Sequence, residues 1–583
     1  MSKDFKKLWP VLLGALILYL IGMSWGLPST ERAERVLAPE QRTDAFYKTL
    51  EDNRRAMYQR IGLNITATYG RGQWNGELLP STTAFRQIRY LAGKAPNETL
   101  MHGYSSFILR SVEQDEQFTL NALSRMKPKH LDFNSHQTAN GGAFLYPVAA
   151  VMATLHIVGY THLTTDPLFY YRNPDELARL FKAGRLFSVL CGLGCVVMVF
   201  LIGRLLYDER VGLWSAALFG LSPTVVAYTH IMKPHVPAAF LSLWCLFYCL
   251  KGAKEKRPRE FFAANLLFGL AVSAAKYCWI LAAPMWLCWW LSNGKKLSVR
   301  QFLTLAGWNA LAVAVYGATN IFALLDWRDL LAEMHAEGAW YHSTLNPAAI
   351  FHLLGRPMRL GLSDGAWLVG ICGLLGALYK RGPSERLLLI VFLPLIACLS
   401  FLVSSAAGEP ATIRFCMGPA AILVLLSVGW ISKQSPLKDT PWLNLVLAVA
   451  LIVTVGKSAL FDANFLRDSM NESNAFAAAR WIEARAPKFG ELGFATPAPM
   501  LDRFPPVRFL NYDLVYLNDG PVSPADEKKL PQYFITSGRQ LEDLPQNAQR
   551  YYEVLQKFNA MGSFADPFTS ANYPLLLLSK KAR

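Results

Sequence analysis

Apolar runs long enough to cross a bilayer recur from about residue 185 to 460, and no other feature of the sequence restricts its fold as much. Inside a bilayer the backbone has no water to bond, so runs of this kind become helices. The candidate spans are 8–27, 185–206, 212–229, 236–251, 261–275, 277–293, 302–324, 364–380, 387–404, 414–432 and 441–460. One further apolar stretch, GGAFLYPVAAVMATLHIVGY at 141–160, decides the sidedness of everything after it. If it does not cross, Lys3, Lys6 and Lys7, Arg204 and Arg210, and the basic loops 251–260, 293–300, 380–386 and 433–438 all share one side. That is the pattern the positive-inside rule requires. The stretch is therefore read as a helix lying in the outer interface or dipping into it.

The loops also account for the charge. A net charge of +16 on a chain that is 52% hydrophobic and only 17% charged reads as cytoplasmic loop cations, and no nucleic-acid partner follows from it. All nine cysteines lie in or beside apolar runs, so neither a disulfide framework nor a thiolate metal site is expected. The start, MSKDFKKLWPVLLGALILYLIGMSWGL, has a basic flank, an apolar run and no clear small-residue cleavage site, which reads as a retained signal anchor. The expected fold is a polytopic α-helical membrane protein of about eleven transmembrane helices, with outer juxtamembrane helices and a small C-terminal α/β extracytoplasmic domain. Its parts are an N-terminal span (1–27), an outer segment (28–184), a transmembrane bundle (185–462) with an outer loop at 326–363, and the C-terminal domain (463–583). The N-terminus is placed in the cytoplasm, in an inner or plasma membrane.

Soluble-enzyme signatures are missing: there is no GxxxxGK[ST] phosphate loop, no HExxH and no GxSxG. Chemistry at the outer face, away from nucleotides, then needs an activated substrate presented by the membrane. The polar stretch VEQDEQFTLNALSRM (112–126) carries an acidic pair, Asp115 and Glu116. Val112, Glu116, Thr119, Leu123 and Met126 are spaced 4, 3, 4, 3, so Glu116 falls on the stripe that a helix buries.

The order of motifs resembles the GT-C membrane glycosyltransferases, in particular the dolichyl-phosphate-mannose protein mannosyltransferases and the aminoarabinose lipid A transferases. The resemblance is carried by QDEQFTLNALSRMKP (114–128), LDFNSHQTANGGAFLYP (131–147), the stretch 183–223 that opens AGRLFSV and closes LFGLSP, HIMKPHVPAAFLSLW (230–244), GLAVSAAKY (269–277) and Arg414-Phe415. It covers about residues 105–460. It implies an enzyme that takes a sugar from a polyprenyl-phosphate donor and transfers it, with inversion, to a lipid, glycan or protein acceptor at the extracytoplasmic face.

The resemblance makes Asp115 and Glu116 the catalytic acids; Asp115 is read as the base and Glu116 as orienting a partner or the acceptor, with the reverse assignment open. Two other acidic sites compete. RNPDELARLF (172–181) looks like a Pro-Asp-Glu motif but reads as a helix start, and Glu31 and Glu34 follow the first span closely. Lys276 lies between two apolar runs, where a charge must meet an anion or snorkel to the interface; donor phosphate suits it. Arg185 and Arg414 begin spans on the outer side and suit the same role or plain interfacial anchoring. Many relatives carry an acid near position 235, where this chain has Lys233 and His235. His335, Glu337 and His342 in EMHAEGAWYHSTLNP are further candidates for donor or acceptor contact. A divalent metal is compatible with these residues but not specified by them. A carrier or flippase for lipid-linked sugars is the alternative reading, although no inverted repeat supports it.

Overall fold

Each of the eleven apolar segments is helical in the computed structural model, but their lengths differ in a way that hydropathy alone does not show. The structure describes residues 3–61, 89–91, 100–136, 140–294, 298–340, 348–402, 412–488, 490–495, 504–517, 522–538, 540–543, 546–559 and 572–581. Among these, six helices are long and apolar enough to cross a membrane, starting at Pro174, His235, Val299, Pro383, Arg414 and Trp442. A bent pair, Glu209–Gly220 and Pro223–Thr229, makes a seventh if its halves are one span. The pair expected at 261–275 and 277–293 consists of Glu260–Ala274, a 3-10 turn at Lys276–Leu281 and Ala282–Ser292. At 1.5 Å per residue the two helices reach only about 22 and 16 Å, against a hydrocarbon core of about 30 Å. Asp364–Tyr379 is likewise short, and the helix Lys3–Leu20 spends its first turns on charged residues.

The chain divides into two compact units. The first holds Met1–Ile21, Phe118–Thr154 and Ala183–Asp462, and is helical. Its helices start where their caps are: Asp208 Oδ1 accepts from Val211 N at 2.9 Å, and Ser298 with Gln301 forms a reciprocal capping box. Met417–Lys433 runs through the middle, buried along most of its length. Small residues let its neighbour Asp364–Tyr379 approach it. A methyl group on Gly373 would lie 2.3 Å from Ser427 Cα, and one on Gly376 would lie 2.4 Å from the Trp430 ring. Close backbone approach of this kind is what holds helices together where lipid removes the hydrophobic drive.

Breaks in the helices are bonded from inside the protein. The bent pair turns by 57° between its halves. There Tyr19 donates to Gly220 O at 2.5 Å and Ser458 donates to Leu221 O at 2.7 Å. The helix Gly142–Ile157 begins hard against two others: a methyl on Gly142 would overlap Thr319 O at 1.8 Å. Gly142 N donates to Asn320 Oδ1 at 2.9 Å, Ala143 N to Ser273 Oγ at 3.1 Å, and Asn320 Nδ2 to the same Oγ at 2.7 Å.

The second unit holds Gly22–Gln117, Leu155–Lys182 and Ala463–Arg583. It contains a six-stranded sheet of β1 (Arg89–Leu91), β2 (Glu491–Ala495), β3 (Asp513–Leu517), β4 (Tyr533–Ser537), β5 (Tyr552–Phe558) and β6 (Leu575–Lys580), in the order β1-β3-β2-β4-β6-β5. The first four positions in that order are parallel, and β6 and β5 join antiparallel. The segments 28–184 and 463–583, separate along the sequence, thus share one sheet through β1. Leu91, Val515, Phe534, Tyr552, Leu576 and Leu578 form part of its core. Asn464, Asn474 and Asn572 bond to one another beside it, fully inside the unit.

The glycine contacts separate two kinds of position. Gly373→Val is expected to destabilise the protein by about 1–3 kcal/mol or to prevent its folding. Gly418→Ala, at a glycine with nothing within 4 Å, is expected to be neutral or mildly stabilising. Thermal unfolding of the two variants in detergent would show it; equal midpoints would count against the packing described.

Candidate active site

The acidic pair sits in the first turn of the helix Gln114–Arg125, where the helix N-terminus favours carboxylates. The expected stripe is realised: Val112, Glu116, Thr119 and Met126 are buried. Glu116 is fully buried, and its Oε2 accepts from Ser111 Oγ at 2.6 Å. Ser111 Oγ in turn accepts from Glu113 N at 3.1 Å. Glu116 therefore has a structural task, fixing the turn that enters the helix. Asp115 is half-buried. The entering segment is itself seated, with Val112 N donating to Gly26 O at 2.8 Å. Gly26 has a φ of +64°, and a methyl there would stand 2.9 Å from Val112 Cβ, so this contact needs glycine. Arg32 donates to the same carbonyl at 3.2 Å and lies 5.1 Å over the Phe107 ring.

Three of the four competing acids have partners of their own. Asp175 accepts from Thr30 Oγ1 at 2.5 Å, Glu176 pairs with Arg179 at 2.6 Å, and both lie in the first turn of Pro174–Leu206, as a helix start should. Glu34 pairs with Arg42 at 2.7 Å, while Glu31 is exposed. A surface cavity of about 360 Å³ is lined by Glu34, one of these competing acids, together with Arg42, Asp44, Tyr171 and Arg172 among others; Asp115 and Glu116 do not line it.

In the helical unit three segments far apart in sequence meet through their rings. His235 opens the helix His235–Glu255; its ring is 6.0 Å from Tyr277 and 5.6 Å from Phe415. Tyr277 and Phe415 meet edge to face at 4.7 Å, and Tyr228 approaches His235 at 5.9 Å. The Arg414 guanidinium lies 5.1 Å over the Phe415 ring. Lys276 precedes Tyr277 at the start of the 3-10 turn, so the break between two short helices is where its charge sits. Lys233 and His235 are buried; Lys276 and Arg414 are partly so. This cluster can present cations to an anionic group and ring faces to an apolar or C–H surface.

Arg185, fully buried, lies in the same unit between two residues that pack on the 230–235 segment. A methyl on Gly184 would meet Met232 Sδ at 2.0 Å, and Ser188 donates to Ile231 O at 2.9 Å. Thr119 donates to Met232 O at 3.4 Å and accepts from Asn140 at 3.3 Å. Sequence reasoning put Thr119 on the buried stripe without its partners, and missed His230. The His230 ring nitrogens each stand 2.7 Å from a carbonyl, of Val226 and of Ile21, joining the first helix to the bent pair. Its place in HIMKPH is visible in the sequence, but not which carbonyls it meets.

His335 is exposed on the helix Trp327–Trp340. The Glu337 side chain and His342 lie outside the described residues. Among the described residues, no group of three or more His, Cys, Asp or Glu is placed to hold a metal ion.

Ser111→Ala removes a donor from a buried carboxylate and is expected to cost about 1–3 kcal/mol of stability. Chemical or thermal unfolding would measure it; an unchanged midpoint would mean that the Ser111–Glu116 bond does not hold the turn.

Residues 179–317 match the family described as dolichyl-phosphate-mannose-protein mannosyltransferase. Among solved structures, the chain is similar to ArnT from Cupriavidus metallidurans bound to undecaprenyl phosphate, at 12% identity over 76% of this chain and 88% of that one, with a TM-score of 0.41. It is similar to the Archaeoglobus fulgidus oligosaccharyltransferase in complex with Zn and sulfate, at 15% identity over 73% of this chain and 64% of that one, with a TM-score of 0.34. A third is the arabinofuranosyltransferase AftD from Mycobacteria, at 12% identity over 100% of this chain and 40% of that one, with a TM-score of 0.41. No curated protein matches the chain. The chain is an integral, multi-pass membrane protein, and its residues 179–317 resemble the dolichyl-phosphate-mannose-protein mannosyltransferase family, one of the two that its motifs resemble.

Proposed function

We propose that the protein is a GT-C glycosyltransferase that moves a sugar from a polyprenyl-phosphate donor to an acceptor at the extracytoplasmic face, with inversion. The observation that carries this reading is the family match itself. The matched stretch, 179–317, contains Arg185, Lys233, His235 and Lys276, and its His235 and Tyr277 rings form the cluster completed by Arg414-Phe415.

Asp115 takes the proton of the acceptor hydroxyl as the acceptor oxygen bonds to the anomeric carbon. The bond from that carbon to the phosphate oxygen breaks, and its electron pair leaves on the phosphate. A single displacement inverts the anomeric centre and needs no covalent sugar intermediate. Phosphate is a good leaving group once its charge is neutralised, which is the task assigned to Lys276, Arg414 and Arg185. Glu116, already bonded to Ser111, orients the turn that bears the base. Lys233, His235, His335, Glu337 and His342 are assigned to donor or acceptor contact. With the basic loops inside, the 230–235 and 276–277 segments lie at the outer end of the bundle.

Asp115→Asn is expected to lower transfer from a labelled polyprenyl-phosphate sugar by about 10²-fold or more in a membrane assay. Transfer at the wild-type rate would sink the base assignment. Lys276→Ala and Arg414→Ala are each expected to lower kcat/KM for the donor by about 10²-fold. If wild-type protein moved labelled lipid across vesicles with no transfer, the carrier reading would replace this one.

A further inference from the structure

The loop after the acidic helix combines features that water alone does not account for. Lys127 N donates to Asp132 O at 2.7 Å, Asp132 N to Lys127 O at 3.3 Å, and Leu131 N to Pro128 O at 3.0 Å, so the loop is closed by its own backbone. At its tip Leu131 has a φ of 55°, a left-handed conformation that a leucine adopts only at a cost. Its side chain is 80% exposed, and Phe133 beside it is 41% exposed. The loop thus holds an apolar tip outward by construction.

The surroundings of that tip point to lipid. Asn134 Nδ2 donates to Asp326 Oδ2 at 3.3 Å, and Gly142 N donates to Asn320 Oδ1, which fastens the loop region to the end of the helix Val299–Thr319. That helix is one of the candidate spans and is hardly buried by protein, so as a span it would face lipid along most of its surface. From its end the apolar exposure continues through Ile321, Leu324, Leu325 and Trp327. Lys127, Lys129 and His130 in the loop, and Arg328 beside Trp327, are exposed and enter no ion pair among the described residues. The loop's own carboxylate is satisfied locally, since Asp132 accepts from Asn134 N at 3.0 Å. An apolar tip in a loop that carries exposed Lys127, Lys129 and His130, fastened to the end of a candidate span, is complementary to an anionic leaflet surface.

We infer that residues 127–133 form a lipid-docking loop: Leu131 and Phe133 enter the leaflet while Lys127, Lys129 and Arg328 hold phosphates of anionic phospholipid headgroups. That this leaflet is the outer one rests on the topology proposed above. The loop follows the helix that carries Asp115, so its anchorage would fix that helix at a set height above the bilayer.

The test uses full-length protein in nanodiscs of phosphatidylcholine alone or mixed with phosphatidylglycerol. A Leu131→Cys variant, with Cys372→Ser and Cys398→Ser, carries an environment-sensitive fluorophore; Lys528→Cys in the same background is the exposed control. Lipid-borne spin labels are expected to quench the probe at 131 and aqueous iodide to leave it, with the reverse at 528. Lipid quenching should rise with phosphatidylglycerol. Lys127→Gln and Lys129→Gln should each reduce that gain about fivefold. Iodide quenching at 131 equal to that at 528 would overturn the docking. Lipid quenching indifferent to phosphatidylglycerol and to both lysines would overturn the headgroup contacts. A membrane-impermeant maleimide added to whole cells separates this inference from the proposed function. Labelling only after lysis would refute the outer-face topology while leaving the depth measurement standing.

Discussion

Every backbone group at membrane depth must be bonded inside the protein, and the architecture of the helical unit follows from that requirement. Unbroken helices meet it by themselves. This chain breaks its helices repeatedly, at Leu221–Ser222, at Ala275–Lys276 and at Asn320, and two of these breaks are closed by side chains from elsewhere. Tyr19 and Ser458 cover the carbonyls of the first. Ser273 and Asn320 bind the start of the helix Gly142–Ile157 at the last. The remaining break carries Lys276 and leads straight to Tyr277, so an interruption in regular structure is also where the cationic and aromatic cluster forms.

That coincidence has a physical basis. A charge within an apolar helix is strongly disfavoured, but one at a break has polar backbone nearby and room to meet an anion. His235 and Arg414 follow the same rule, one at the first residue of a helix and one in a 3-10 turn before it. The acidic pair obeys a similar logic in the second unit. Both carboxylates lie in the first turn of a helix, but Ser111 takes up Glu116, and so the two acids, adjacent in sequence, are not equivalent.

Sequence and structure register different things. Counting apolar residues yields eleven candidate spans, and among the described residues six or seven helices have the length to cross alone; hydropathy registers composition and is blind to where a helix is interrupted. The strand Arg89–Leu91 was illegible because three residues carry no usable period, and its partner Val515 is more than four hundred residues away. The partners of Thr119 and the whole role of His230 were illegible because they lie in the carbonyls these side chains meet.

The sequence alone determined the class of protein, the sites of its helices, the burial of Glu116 and the place of Asp175 and Glu176 at a helix start, since all of these depend on local composition and on a period of 3.6 residues. Only the tertiary structure decided that Ser111 occupies Glu116, that His235, Tyr277 and Phe415 meet, and that Leu131 projects from a closed loop at the end of a span. Those facts depend on distances between segments that no local pattern encodes.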